Sequence, residues 1–81
     1  MSRDQIREKI GELLADLLDE DNIKLSDETV AEDVDGWDSI VHVKLILAIE
    51  SSYGIRFESD EIAAPENVGA LVDLIASKER A

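Results

Sequence analysis

Apolar residues near both ends of the chain keep a helical register. Ile6, Ile10, Leu13, Leu14, Leu17 and Leu18 follow one another at steps of four, three, one, three and one, a single stripe of the 3.6-residue period. The stripe predicts a helix over residues 3–18. Ser2 stands where an N-cap belongs, and Gln5, three residues on, completes a capping box. Toward the C-terminus, Val68, Leu71, Val72 and Ile75 form a second stripe, capped by Asn67. Lys78 suits the negative end of that helix, which is predicted to run to about Ser77.

The clearest helix lies between them, over residues 39–52. Asp38 is a good N-cap, and Gly54 sits where a left-handed C-terminal residue is needed. Ile40, Val43, Leu45, Ile46, Leu47 and Ile49 make it apolar around most of its circumference. Such a helix is either mostly buried or keeps one face for partners. Ile55 and Phe57 predict an extended connector. Ser59 opens a short helical turn through Ala63, which Pro65 ends.

Residues 19–38 have no period. They are rich in acids, with isolated apolar residues at Ile23, Leu25, Val30, Val34 and Trp37. Such a connection is long for a compact domain, and its scattered apolar residues predict packing over the bundle at several points. Every strand candidate is shorter than five residues. The expectation is an all-α fold: a small bundle of three main helices plus one short helix, with a long loop between the first and second, in a single domain spanning residues 1–81.

Composition narrows the chemistry. With no cysteine there is no disulfide and no thiol, and any thiol chemistry must come from an added group. One histidine, His42, makes no zinc cluster. Twenty acids against eight bases give a net charge of −12, which disfavours nucleic acid and anionic membranes. That charge either steers the chain to partners with basic patches or serves solubility alone. A hydrophobic share of 44% is too high for a disordered acidic tail. The opening MSRDQIREKI has no signal-peptide pattern, and no run approaches the roughly 18 apolar residues of a membrane helix. The expectation is a cytoplasmic monomer.

The candidate chemistry sits in Asp35-Gly36-Trp37-Asp38-Ser39-Ile40. A serine in the first turn of a helix stays near solvent. The free N–H groups and positive dipole end there tolerate an anion, so a phosphodiester on Ser39 would be electrostatically accepted. Taken alone, Asp38-Ser39 reads first as a plain helix cap. Trp37 either plugs the bundle where the loop meets the second helix or lies beside a group carried on Ser39.

The longer pattern resembles the acyl carrier and peptidyl carrier family. It comprises Asp38-Ser39-Ile40, then Glu50-Ser51-Ser52-Tyr53-Gly54, then Ile55-Arg56-Phe57, with Asn67-Val68 and Leu71-Val72 in the closing helix. The resemblance covers essentially the whole chain. It implies a non-catalytic carrier whose Ser39 bears 4′-phosphopantetheine, taken from coenzyme A by a phosphopantetheinyl transferase using Mg²⁺. The thiol of that arm would hold an acyl group as a thioester for acyl-loading, condensing or acyl-transferring enzymes of fatty-acid, polyketide or other specialised biosynthesis. It implies that Asp38 helps the transferase recognise the site and that Ile40, Val41, Lys44 and Leu47 contact partners. It also implies that Val43, Ile49, Ile62, Ala63, Leu71 and Ile75 either shelter an acyl chain or are ordinary core.

Typical fatty-acid carriers place acids along the exposed face of the second helix, where this chain has Val41 and Lys44 with His42 between them. That departure points to a specialised rather than a housekeeping member, with His42 at the partner interface. Three rivals remain. An aminoacyl or peptidyl carrier shares the pattern, and an unmodified acidic helical module would dock through the same helix. A Ser39–His42–Asp38 hydrolase lacks the Gly-x-Ser-x-Gly elbow and any sheet. Neither acidic run satisfies a calcium loop, which leaves only loose divalent binding by Asp33, Asp35 and Asp38.

Overall fold

The computed structural model describes residues 2–21 and 23–80, Arg80 by its backbone alone. Among these residues there are four α-helices and no strand. They are α1 (Arg3–Leu18), α2 (Ser39–Tyr53), α3 (Ser59–Ala63) and α4 (Val68–Arg80), with a turn of 3-10 helix at Ala31–Asp33. The local signals explain most boundaries. The Ser2 hydroxyl accepts from the Gln5 N–H at 3.2 Å, and Gln5 Oε1 accepts from the Ser2 N–H at 3.1 Å. Gly54 ends α2 at φ 65°, the left-handed region where glycine carries no Cβ penalty. Asp19 takes the equivalent place after α1 at φ 57°, a conformation uncommon outside glycine but tolerated by aspartate.

α4 runs past Ser77, its expected end, to Arg80. Its last turn is held from outside. Lys78 Nζ lies 2.7 Å from Glu61 of α3 and 5.5 Å from the centre of the Phe57 ring.

The core joins Ile6, Ile10 and Leu14 of α1 to Leu45, Ile46 and Ile49 of α2 and Val68, Leu71, Val72 and Ile75 of α4. Trp37 and Phe57 complete it from the connections. Burying each such side chain is worth about 1.5–3 kcal/mol, so the three long helices carry most of the stability.

The long loop is laid down against this bundle, as its scattered apolar residues imply. Ile23, Leu25, Ala31 and Val34 pack on the core. Two glycines let its backbone come close. A Cβ on Gly11 would stand 2.7 Å from the Ile23 carbonyl oxygen, and one on Gly69 would stand 2.9 Å from Asp27 Cβ. The loop also finishes α4: Thr29 O accepts from the Val68 N–H and Asp27 O from the Gly69 N–H, both at 2.9 Å. The Asp27 carboxylate lies between Arg3 (3.0 Å) and Arg7 (3.1 Å), and Arg3 reaches on to Asp73 at 2.8 Å. One loop residue thereby ties α1 to α4.

Candidate functional site

Ser39 is the first residue of α2, and Asp38 caps that helix. Asp38 Oδ1 accepts from the Val41 N–H at 2.9 Å, and the Asp38 carbonyl accepts from the His42 N–H at 2.9 Å. Among the described residues the N–H groups of Ser39 and Ile40 have no acceptor, and the exposed Ser39 hydroxyl has no partner. An anion attached to Ser39 would meet two free N–H donors and the positive end of a fifteen-residue helix. A phosphate on a tether therefore fits this place.

Gly36, at φ 90°, turns the chain inward just before the site. The turn brings Trp37 to 8% exposure within the core, as the packing reading of this residue requires. The indole also lines the cavity that opens beside Ser39. Its Nε1–H donates to His42 Nδ1 at 3.3 Å, and His42 Nε2 stands 2.8 Å from the Ile62 carbonyl oxygen of α3. The two rings stack with centroids 6.0 Å apart. This corrects the expectation that His42 is a surface residue at the partner interface. It is half-buried and points into the cleft between α2 and α3. A helix as evenly apolar as α2 gives no sign of which way a lone polar residue faces. Both ring nitrogens are engaged, so His42 cannot serve as the base of a Ser39 hydrolase.

A cavity of about 540 Å³ opens beside Ser39, walled by Trp37, His42, Val43, Ile62, Pro65 and Leu71. Of the residues expected to line an acyl site, Val43, Ile62, Ala63 and Leu71 do border it. Ile49 and Ile75 do not: they are fully buried in the core, held by the packing of α1, α2 and α4.

The outer face of α2 is apolar. Ile40 is 67% and Leu47 58% exposed, and Lys44 lies exposed between them with no ion pair among the described residues. Val41 is half-buried against the core, so little of it remains for a partner. Val43, at 48%, completes the strip instead. Its spacing of three from Ile40 and four from Leu47 is the signal that would have found it. Glu50 is turned away and accepts from the Phe57 N–H at 2.8 Å. Among the described residues no group of three metal-ligating side chains converges. Asp33 is instead spent on the Val30 N–H (3.1 Å) and Asp38 on its cap.

The arrangement offers one presented hydroxyl, no free base beside it among the described residues, and an exposed apolar strip. It suits the attachment of a group and does not suit catalysis by Ser39. A family model for the phosphopantetheine attachment site matches residues 8–75. The acyl carrier protein of Petrotoga mobilis is 35% identical over 80 residues, covering 96% of this chain and 92% of that one. The polyketide-8 synthase acyl carrier protein 2 of Streptomyces avermitilis is 30% identical over 73 residues, covering 89% and 83%. The solution NMR structure of the holo acyl carrier protein from Geobacter metallireducens superposes with a TM-score of 0.78 at 38% identity, over 86% of this chain and 80% of that one.

The chain belongs to the acyl carrier protein family. Its members carry covalently attached 4′-phosphopantetheine, work with phosphopantetheinyl transferases and biosynthetic enzymes, and are carriers, not catalysts. No helix among the described residues is long and apolar enough to cross a membrane.

Proposed function

We propose that residues 1–81 form one cytoplasmic carrier domain whose Ser39 bears the phosphopantetheine arm. The observation that carries the reading is the exposed Ser39 hydroxyl at the start of α2, which like the two N–H groups beside it has no partner among the described residues. In the loading step the Ser39 oxygen forms a bond to the β-phosphorus of coenzyme A. The bond from that phosphorus to the bridging oxygen breaks, adenosine 3′,5′-bisphosphate leaves, and the serine proton passes to a base of the transferase or to solvent. Asp38 fixes the helix start through Val41 and gives the transferase a carboxylate next to the nucleophile. The arm supplies the thiol that this chain lacks, and tethering raises the effective concentration of cargo at each partner's active site.

Partners dock on Ile40, Val43, Lys44 and Leu47. The strip carries one cation and no acid, inside a chain of net charge −12. Rim charges chiefly set association rate and partner choice. A partner evolved for an acidic second helix therefore meets a mismatch here, and the cargo belongs to a dedicated loading, condensing or transferring enzyme of fatty-acid-like, polyketide or other specialised biosynthesis. Efficient elongation of the loaded protein by a general fatty-acid ketosynthase would refute this specialisation.

The attachment reading is tested by incubating the protein with coenzyme A, Mg²⁺ and a broad-specificity phosphopantetheinyl transferase, then weighing it. The wild type gains one arm, and folded Ser39→Ala gains none. A folded wild type that gains nothing supports an unmodified docking module instead.

A further inference from the structure

Trp37 Nε1–H can only donate, so His42 Nδ1, 3.3 Å away, holds a lone pair. The ring proton then belongs on Nε2, which donates to the Ile62 carbonyl at 2.8 Å. That carbonyl lies in the last turn of α3, where helix acceptors lack an intrahelical donor. One imidazole thereby joins the loop before Ser39, the first turn of α2 and the end of α3.

α3 has few other ties. None of its five residues is buried. Ile62 packs partly on the core, and Glu61 pairs with Lys78. Yet Ile62 and Ala63 wall the cavity beside Ser39, as do Trp37 and His42. Whatever holds α3 against α2 sets the shape of that cavity.

We infer that His42 is a positioning residue: through Trp37 and Ile62 it clasps the cavity wall beside Ser39, and it completes the clasp only as the neutral Nε2–H tautomer. Protonation puts a second N–H on Nδ1, facing the indole N–H, so the Trp37 bond is lost. The bond to Ile62 O becomes charge-assisted and remains. The loop side of the cavity is therefore the side that is released. The charged groups bordering the same cavity are Asp38 of the α2 cap, Glu32 of the 3-10 turn and Glu66 before α4. Glu61 of α3 is engaged by Lys78. The clasp belongs to the unmodified chain and rests on the attachment reading only for what the cavity shelters.

Nitrogen NMR of the labelled, unmodified protein tests it. With the imidazole neutral, the wild type shows a proton on Nε2 and a lone pair on Nδ1. When acid protonates the ring, the Trp37 indole N–H resonance moves together with the His42 ring signals. Trp37→Phe keeps an aromatic ring but removes the donor: the Ile62 carbonyl still holds the proton on Nε2, while the Nδ1 signal moves to that of a lone pair without a donor. His42→Phe keeps the bulk but removes both bonds, and amide exchange across residues 59–63 quickens about tenfold while the buried turns of α1 and α4 keep their protection. A wild type with Nδ1 protonated, an indole signal indifferent to His42, or unchanged α3 exchange in folded His42→Phe would each overturn the inference. Should His42→Phe fail to fold, the wild-type tautomer and the Trp37→Phe spectrum decide. Because none of these readings involves loading, failure here leaves the attachment at Ser39 to its own assay.

Discussion

Replacing Gly69 by alanine sets two effects of opposite sign against each other. Within α4 the change from glycine to alanine favours the helix by about 1 kcal/mol. The new methyl carbon, however, would stand 2.9 Å from Asp27 Cβ and 3.0 Å from Asp27 O. Neither atom is the free end of a flexible side chain, so the loop must lift. Lifting it lengthens the Val68-to-Thr29 and Gly69-to-Asp27 bonds, both 2.9 Å, which satisfy the first N–H groups of α4. Two backbone bonds at about 0.5–1.5 kcal/mol each amount to roughly 1–3 kcal/mol. Overpacking strain adds about 1–3 kcal/mol. Against the helix gain the balance is a loss of about 1–5 kcal/mol, a large part of the stability of so small a domain. Urea unfolding followed by circular dichroism measures it. A Gly69→Ala protein more stable than wild type by about 1 kcal/mol would show that helix propensity alone governs the position and that the loop does not press on α4.

Three further outcomes follow from single side chains. Asp38→Ala removes the acceptor of the Val41 N–H and should cost about 1 kcal/mol in the same unfolding assay; it should also slow loading by the transferase. The Arg3 and Arg7 guanidiniums hold the Asp27 carboxyl below its ordinary range. A lowered folded-state pKa means that this stabilisation is full above the unfolded value, about 4, and is lost as the pH falls through the folded value. Asp27→Asn should flatten the acid limb of thermal stability below about pH 4; an unchanged limb would remove Asp27 from the account. The Tyr53 hydroxyl is enclosed with no partner among the described residues, and burial followed by the carboxylates of Glu79 and Glu12 pushes its pKa up. Tyr53→Phe should therefore be neutral or stabilising by up to about 1 kcal/mol, and a clear loss of stability would show that the hydroxyl has a partner.

The sequence makes legible whatever is decided within a few residues. The Ser2–Gln5 box, the Asp38 cap and the left-handed Gly54 are local devices, so α1 and the start and end of α2 lie within a residue of their expected places. What depends on contact across the chain is less visible. The last turn of α4 has only Lys78, Glu79 and Arg80 and no apolar signal, and the Glu61 and Phe57 contacts of Lys78 keep it helical. The facing of His42 is fixed by Trp37 and by the carbonyl of Ile62, twenty residues away. Val41 and Val43 are two residues apart on one helix, and only the position of α1 and the core decides that the first turns inward and the second outward. Ser39 is the reverse case. Its residue type and position were plain, but the structure adds the free donors beside it and the cavity behind it.

The central claim is most directly tested by the mass of this protein as isolated from its own cells, with fragmentation to locate any added group. The account predicts one phosphopantetheine, free or acylated, on the fragment containing Ser39. A modification on Ser51, Ser52 or another serine, with Ser39 bare, would contradict it.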